Sequence, residues 1–321
     1  MIRRTALIFM TLGGLLLAAL LIGLDVGPSS ITLWSPAADL KTAILWQTRL
    51  PRLLLAMLVG GGLAGAGVAY QALLHNPLAD PYILGVAGGA ALGSALAVAC
   101  NGTWPWVLAC AFLASLLTMA AIFSIARRPA RYFAHSLLLT GVVCNAFAFA
   151  LIMLLHTFVP IQRGQEILFL LMGTLAIAGP EVLPVAGLTI GLGSLVLFWR
   201  ARALDTLALG EETACSLGIA VQRLQWEIFV AGSLMVGTVV AVSGLIGFVG
   251  LFIPHAMRLL VGHRHRLLIP AATLAGAAFL SLADTVARAA LSRGTVQTEL
   301  PVGVITALVG APCFVWLLRK T

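Results

Sequence analysis

The chain has 321 residues, of which 61% are hydrophobic and only 9% charged, with a formal net charge of +8 and a mean hydropathy of +1.06. A water-soluble globular protein of this size cannot cover so much apolar surface, so the composition points to an all-α polytopic membrane protein. The positive charge lies in short loops between apolar runs, a pattern that fits the positive-inside bias and not a nucleic-acid partner.

About ten spans can be drawn, within one transmembrane domain covering 1–321. The opening "MIRRTALIFMTLGGLLLAALLIGL" has the basic head of a signal peptide. Its apolar run is too long and no A-x-A-like site closes it, so Thr5 to Leu24 is the first span. The second runs from Pro51 to Leu74, with Pro51 suited to a first helical turn. Its "VGGGLAGAGVAYQALL" sets small residues at three- and four-residue spacing, which lets helices approach closely. The turn "HNPLADP" ends it, and the third span covers Tyr82 to Cys100. The fourth, Pro105 to Ala126, stops at "RRPARYFAH"; the fifth covers Ser136 to Phe158. "ILFLLMGTLA" is too brief to cross and reads as a re-entrant half-helix. The sixth covers Pro184 to Trp199. A polar stretch, Leu204 to Arg223, separates it from the seventh, Trp226 to Gly247. The eighth runs from Phe248 to Val261, the ninth from Leu267 to Leu291, and the tenth from Pro301 to "LLRKT".

With both termini in the cytoplasm, that side carries most of the basic residues, among them Arg127, Arg128, Arg200, Arg202, Arg264 and Arg266. The outer side holds Lys41, Arg49, Arg52, Arg163, Arg288 and Arg293. This orientation is favoured, and it places "RLPR" (Arg49 to Arg52) outside, where arginine is disfavoured and needs a partner. Lipid head groups, a local pair such as Asp284 with Arg288 at i, i+4, and an acidic docking partner all remain open on these grounds.

In the polar stretch, Glu211 and Glu212 follow Gly210 and open a short helix, where negative charge suits the helix dipole. Gly218 closes it as a left-handed cap with Ile219 packing back. A second short piece completes this extramembrane region. Leu209, Ala214 and Leu217 need cover, either from the bundle itself or from a cytoplasmic partner.

Much chemistry is absent. Lysine occurs only at Lys41 and Lys320, and neither follows a glycine, which excludes a Walker A motif. No HExxH exists, and the five cysteines are scattered without CxxC spacing, reading as small apolar core residues. No acid sits in the middle of a span, which weighs against a proton-driven carrier.

The blocks "RLPRLLLAMLVGGGLAGAGVAYQALLHNPLADPYILGVAGGAALG", "LALGEETACSLGIAVQRLQ", "GLIGFVGLFIPHAMRLLVGHRHRLLIPAATLAGAAFLSLADTVAR" and "ELPVGVITALVGAPCFVWLL" resemble, in order and over nearly the whole chain, the FecCD/BtuC-type permeases. These are the membrane subunits of type II ATP-binding cassette (ABC) importers for cobalamin, ferric siderophores and haem. The resemblance implies ten transmembrane helices in a bacterial inner membrane, in contact with membrane lipid, and a homodimer with the transport path between the copies. It implies two ATPase subunits below, which bind ATP and Mg, and a periplasmic substrate-binding protein above. "LGEETACSLGIAV" matches the ATPase-coupling helices, giving that role to Leu209, Gly210, Glu211, Glu212, Ala214, Leu217 and Gly218. "RLPR" and the arginine of "DTVAR" match arginines that dock the binding protein, here Arg49, Arg52 and Arg288. "NPLADP" matches a cytoplasmic gate, with Asn76 and Leu78. A second gate falls at "YFAHS", where Ala134 and His135 replace the small hydroxyl residues of the cobalamin permease. The resemblance implies no catalytic residue, cofactor or metal in this chain. The alternative is an ATP-independent secondary carrier or channel.

Overall fold

The structure, a computed structural model, describes residues 2–27, 44–82, 84–126, 133–175, 179, 181–290 and 299–319. Lys41, Arg127, Arg128, Arg131, Arg293 and Lys320 lie outside these residues, and so does the side chain of His135.

The described residues form helices α1 (Ile2–Asp25), α2 (Leu50–Leu73), α3 (Val86–Ala99), α4 (Trp104–Ala126), α5 (Phe133–Phe158), α6 (Ile161–Met172), α7 (Val182–Trp199), α8 (Ala201–Leu207), α9 (Glu211–Ser216), α10 (Val221–Ser243), α11 (Val249–Val261), α12 (His265–Ala290) and α13 (Val302–Leu318). A π-helical turn, Ile44–Arg49, leads into α2. Seven segments are long and apolar enough to cross a membrane, and α3, α11 and α13 are shorter apolar helices. Together they account for the ten spans expected.

The core is α2, flanked by α12, α11, α10 and α7. Small residues make this possible. A Cβ on Gly60 would collide with the Gly276 carbonyl of α12, and one on Gly67 with the Gly250 carbonyl of α11. Both contacts bring backbone against backbone, as van der Waals packing between spans favours. Helices α1, α4, α5 and α7 are mostly exposed and apolar, as lipid-facing helices must be.

Three boundaries differ from the sequence expectation. The third span begins as a helix only at Val86, after Gly85 takes a left-handed φ of +81°. The seventh starts at Val221, so Arg223 is helical and pairs with Glu227 one turn on. The re-entrant piece is already helical from Ile161 and ends at Met172, where Gly173 turns with φ +73°. None of the five cysteines is a fully buried core residue: Cys100 and Cys215 are exposed, and Cys110, Cys144 and Cys313 are half-buried.

Candidate functional site

Irregular backbone marks the centre of the molecule. The chain leaves α2 at Leu74 and does not resume a long helix until Val86; between α10 and α11, Gly244 to Phe248 are also unwound. These two breaks meet. Pro81 and Asp80 lie against Gly250, whose carbonyl packs on Gly67 in the interior of α2. The segment after α2 therefore folds back to the depth of that helix's interior. Backbone that is not helical at such depth is tolerated where it is buried in protein or lines a cavity. A cavity of about 620 Å³ lies there, bounded by Asp80, Tyr82, Met172, Phe248, Val304 and Leu308. Its walls are mainly apolar, and Leu308 and Met172 leave one flank exposed. Phe248 holds φ +69°, a left-handed conformation unusual for an aromatic residue.

Asp80 is buried, and its Oδ1 accepts the Tyr82 N–H at 3.0 Å. The preceding turn is built by Asn76, whose Oδ1 accepts the Leu78 N–H at 2.9 Å in an Asx turn. Leu78 itself is exposed. His135 stands in the first turn of α5.

Beyond this turn lies the end of the molecule that carries the short helices. The α9 helix ends as the sequence suggests. Gly218 has φ +84°, and its N–H reaches the Cys215 carbonyl at 2.9 Å while the Ile219 N–H reaches Ala214 at 3.0 Å. This is a Schellman closure. Ala214 is buried, whereas Leu209 and Leu217 are 68% and 64% exposed. The second short piece precedes α9, as α8. The pair is tied to the bundle at several points. The Gln225 side chain donates to Glu211 at 3.0 Å. Asp205 accepts both the His265 N–H and its ring Nδ1 at 2.7 Å, joining α8 to α12. His75 Nε2 lies 2.7 Å from the Leu207 carbonyl, joining α8 to the turn that holds Asn76 and Leu78. Displacement of α8 and α9 would therefore be felt at that turn.

The opposite end is held by arginines. Asp284, fully buried, bonds Arg52 through Oδ1 at 2.9 Å and Arg288 through Oδ2 at 3.0 Å. Arg52 also reaches Glu299 at 2.5 Å. Arg49 donates to the Leu24 and Asp25 carbonyls at 2.6 and 3.2 Å. Arg288 donates to Gly23 at 3.3 Å and Val26 at 3.4 Å. The last carbonyls of α1 lack helical donors, and these two arginines supply them while opposing the negative end of the helix dipole. Of the three arginines singled out from sequence, Arg49 and Arg288 are each 3% exposed. The Arg52 side chain keeps 17% and the Glu299 side chain 43% of their surface. Both border a cleft of about 590 Å³ that also includes Glu166.

Sequence reasoning anticipated the Asp284–Arg288 pair. It missed the links His75–Leu207 and Asp205–His265, and the depth of Asp80. The proline after Asp80, which disfavours helix at the aspartate, was the available signal for a chain that stays unwound there. Among the described residues no three His, Cys, Asp or Glu side chains converge as a metal-ligand set.

Comparison with known proteins agrees with this architecture. Residues 10–320 match the FecCD transport family. The cobalamin import system permease protein BtuC of Halobacterium salinarum is 39% identical over 284 residues, covering 86% of this chain and 73% of the relative. The hemin transport system permease protein HmuU of Yersinia pestis is 37% identical over 296 residues, covering 90% and 87%. A solved structure of a transporter assigned to the metal-chelate ABC type, in an inward-facing conformation, superposes with a TM-score of 0.87 at 35% identity, covering 98% of this chain and 99% of that one. A chain with this bundle and this match is a transport permease and not an enzyme, and it belongs to the FecCD transport family.

Proposed function

We propose that this chain is the membrane-spanning subunit of an ABC importer that takes up an iron chelate, as a ferric siderophore or haem, or cobalamin. In this reading it sits in a bacterial inner membrane with both termini in the cytoplasm and pairs with a second copy across the open flank of the 620 Å³ cavity. Two ATPase subunits, which bind ATP and Mg, sit under α8 and α9, and a periplasmic binding protein delivers substrate to the opposite face. The observation that carries the proposal is the α8–α9 pair: Leu209 and Leu217 stand out from the bundle on a scaffold fixed to the turn after α2, to α10 and to α12. Exposed leucines flanking a short, tethered extramembrane helix fit the groove of a partner that must push and pull. Glu211, Glu212, Gly210, Ala214 and Gly218 shape that helix. Asn76, Leu78 and His135 form the cytoplasmic gate.

On the periplasmic face, Arg52 is the docking contact. Arg49 and Arg288 act beneath it by holding α1 and α12 in register. A wide apolar path suits a large rigid metal complex, because weak contacts let the cargo leave; specificity then rests with the binding protein. Purification from native membranes in mild detergent tests the proposal. A vanadate-sensitive ATPase at equimolar ratio to this chain is the expected result. A chain that purifies alone and moves solute in vesicles without ATP would establish the secondary-carrier alternative.

A further inference from the structure

A second cavity, of about 960 Å³, opens beside α8, between the end of α7 and the start of α12. Its charged lining is Arg202, Arg264, Arg266, His263 and Asp205. The one carboxylate is already engaged, since its Oδ1 accepts both the backbone N–H and the ring of His265. Arg202, Arg264 and Arg266 are exposed, and among the described residues no carboxylate pairs with them. The other walls are apolar: Phe198 at the end of α7 and Leu267 in the first turn of α12. Trp199, next to Phe198, is strongly exposed, and so are Leu188, Leu192 and Leu195 along α7. The cavity thus joins a basic pocket at the water boundary to an apolar helix face that continues into the bilayer.

We propose that this cavity is a binding site for an anionic phospholipid, with the phosphate held by Arg202, Arg264 and Arg266 and an acyl chain laid along Phe198 and α7. Three considerations favour a lipid over an acidic protein surface. The apolar wall belongs to a lipid-facing span. An exposed tryptophan marks the depth of the head groups. Anionic head groups also attract arginines at span ends, each worth roughly fivefold in affinity. Because the site abuts Leu209 and shares Asp205 with the α8–α12 link, an occupied site would brace the short helices from the bilayer side.

The test uses the full chain, purified in detergent and stripped of lipid. Phosphatidylglycerol, phosphatidylcholine or inorganic phosphate is titrated in, and thermal unfolding and lipid retained through washing are measured. Phosphatidylglycerol should raise the unfolding temperature by a few degrees at saturation and phosphatidylcholine should not. The triple variant Arg202→Gln, Arg264→Gln, Arg266→Gln should bind phosphatidylglycerol roughly a hundredfold more weakly. Arg3→Gln, an exposed arginine that does not line the cavity, should bind as the unmodified chain does. Equal response to the two lipids, an unchanged response in the triple variant, or the same stabilisation by inorganic phosphate alone would each overturn the proposal. So would a triple variant that loses a co-purifying ATPase while keeping its lipid response, which would assign the arginines to a protein interface.

Discussion

Arginine does opposite work at the two ends of the bundle. At the end where α1 and α12 finish, Arg49, Arg52 and Arg288 are drawn inward onto Asp284, Glu299 and the terminal carbonyls of α1. At the end of the short helices, Arg202, Arg264 and Arg266 stay exposed, and the nearest carboxylate is taken by His265. The difference follows from where helices converge. Three helix ends meeting closely leave unpaired carbonyls that need donors, and an inward arginine then needs a counter-charge. At the short-helix end Arg200 and Arg223 still share Glu227, but Arg202, Arg264 and Arg266 face water. Charge is therefore mainly structural at one end and partly available for binding at the other. An excess of basic residues in a loop does not by itself identify a docking surface.

The sharpest way to break this contrast is to remove the acid at its centre. Asp284→Ala leaves Arg52 and Arg288 without their shared buried partner and should cost about 3–5 kcal/mol, seen as a large drop in unfolding temperature or in folded yield. Arg266→Ala, exposed and without an ion pair among the described residues, should change stability by less than about 0.5 kcal/mol. Equal effects would mean that the clamp is not structural.

Next in size is a functional effect without a structural one. Leu209→Asp should lower ATP-driven uptake in vesicles more than tenfold, if the partner's grip is worth the roughly 1.4 kcal/mol of one order of magnitude, while leaving the unfolding temperature unchanged. Normal uptake would remove α8–α9 as the coupling element. A smaller effect is expected at the exchangeable pair. Glu299→Gln frees one side of Arg52 and should strengthen docking of an acidic partner at low salt by a few-fold, whereas Arg52→Gln should weaken it and flatten its salt dependence. An Arg52→Gln chain that docks with unchanged affinity and salt dependence would show that the arginine end is a clamp only.

Much of this architecture is legible in the sequence, because apolar length and basic loops report directly on membrane spans. The cap of α9 was legible for the same kind of reason: Gly210, Glu211 and Gly218 act on their own neighbours in the chain. The clamp was legible only at Asp284 and Arg288, one helical turn apart. Arg52 meets Asp284 across 232 positions, and no local pattern encodes that. Nor could sequence show that Arg49 and Arg288 also reach the carbonyls at the end of α1, since a backbone acceptor has no residue type to reveal it. Asp80 was misplaced in depth for a related reason: "NPLADP" reads as a surface turn until Gly67 and Gly250 are seen to draw the breaks together.

Asp80 yields the smallest effect and the closest test of the contrast, because it is a buried aspartate like Asp284 but pairs with no arginine among the described residues. Asp284 meets two guanidinium groups; the hydrogen bond found at Asp80 is the N–H of Tyr82. Asp80→Asn keeps an oxygen for the Tyr82 N–H without carrying a charge, so unfolding in detergent should change by less than about 1 kcal/mol, against the several lost when Asp284 is neutralised. A loss in Asp80→Asn as large as that at Asp284 would show that a cation pairs with the Asp80 carboxylate, and the two aspartates are managed alike after all.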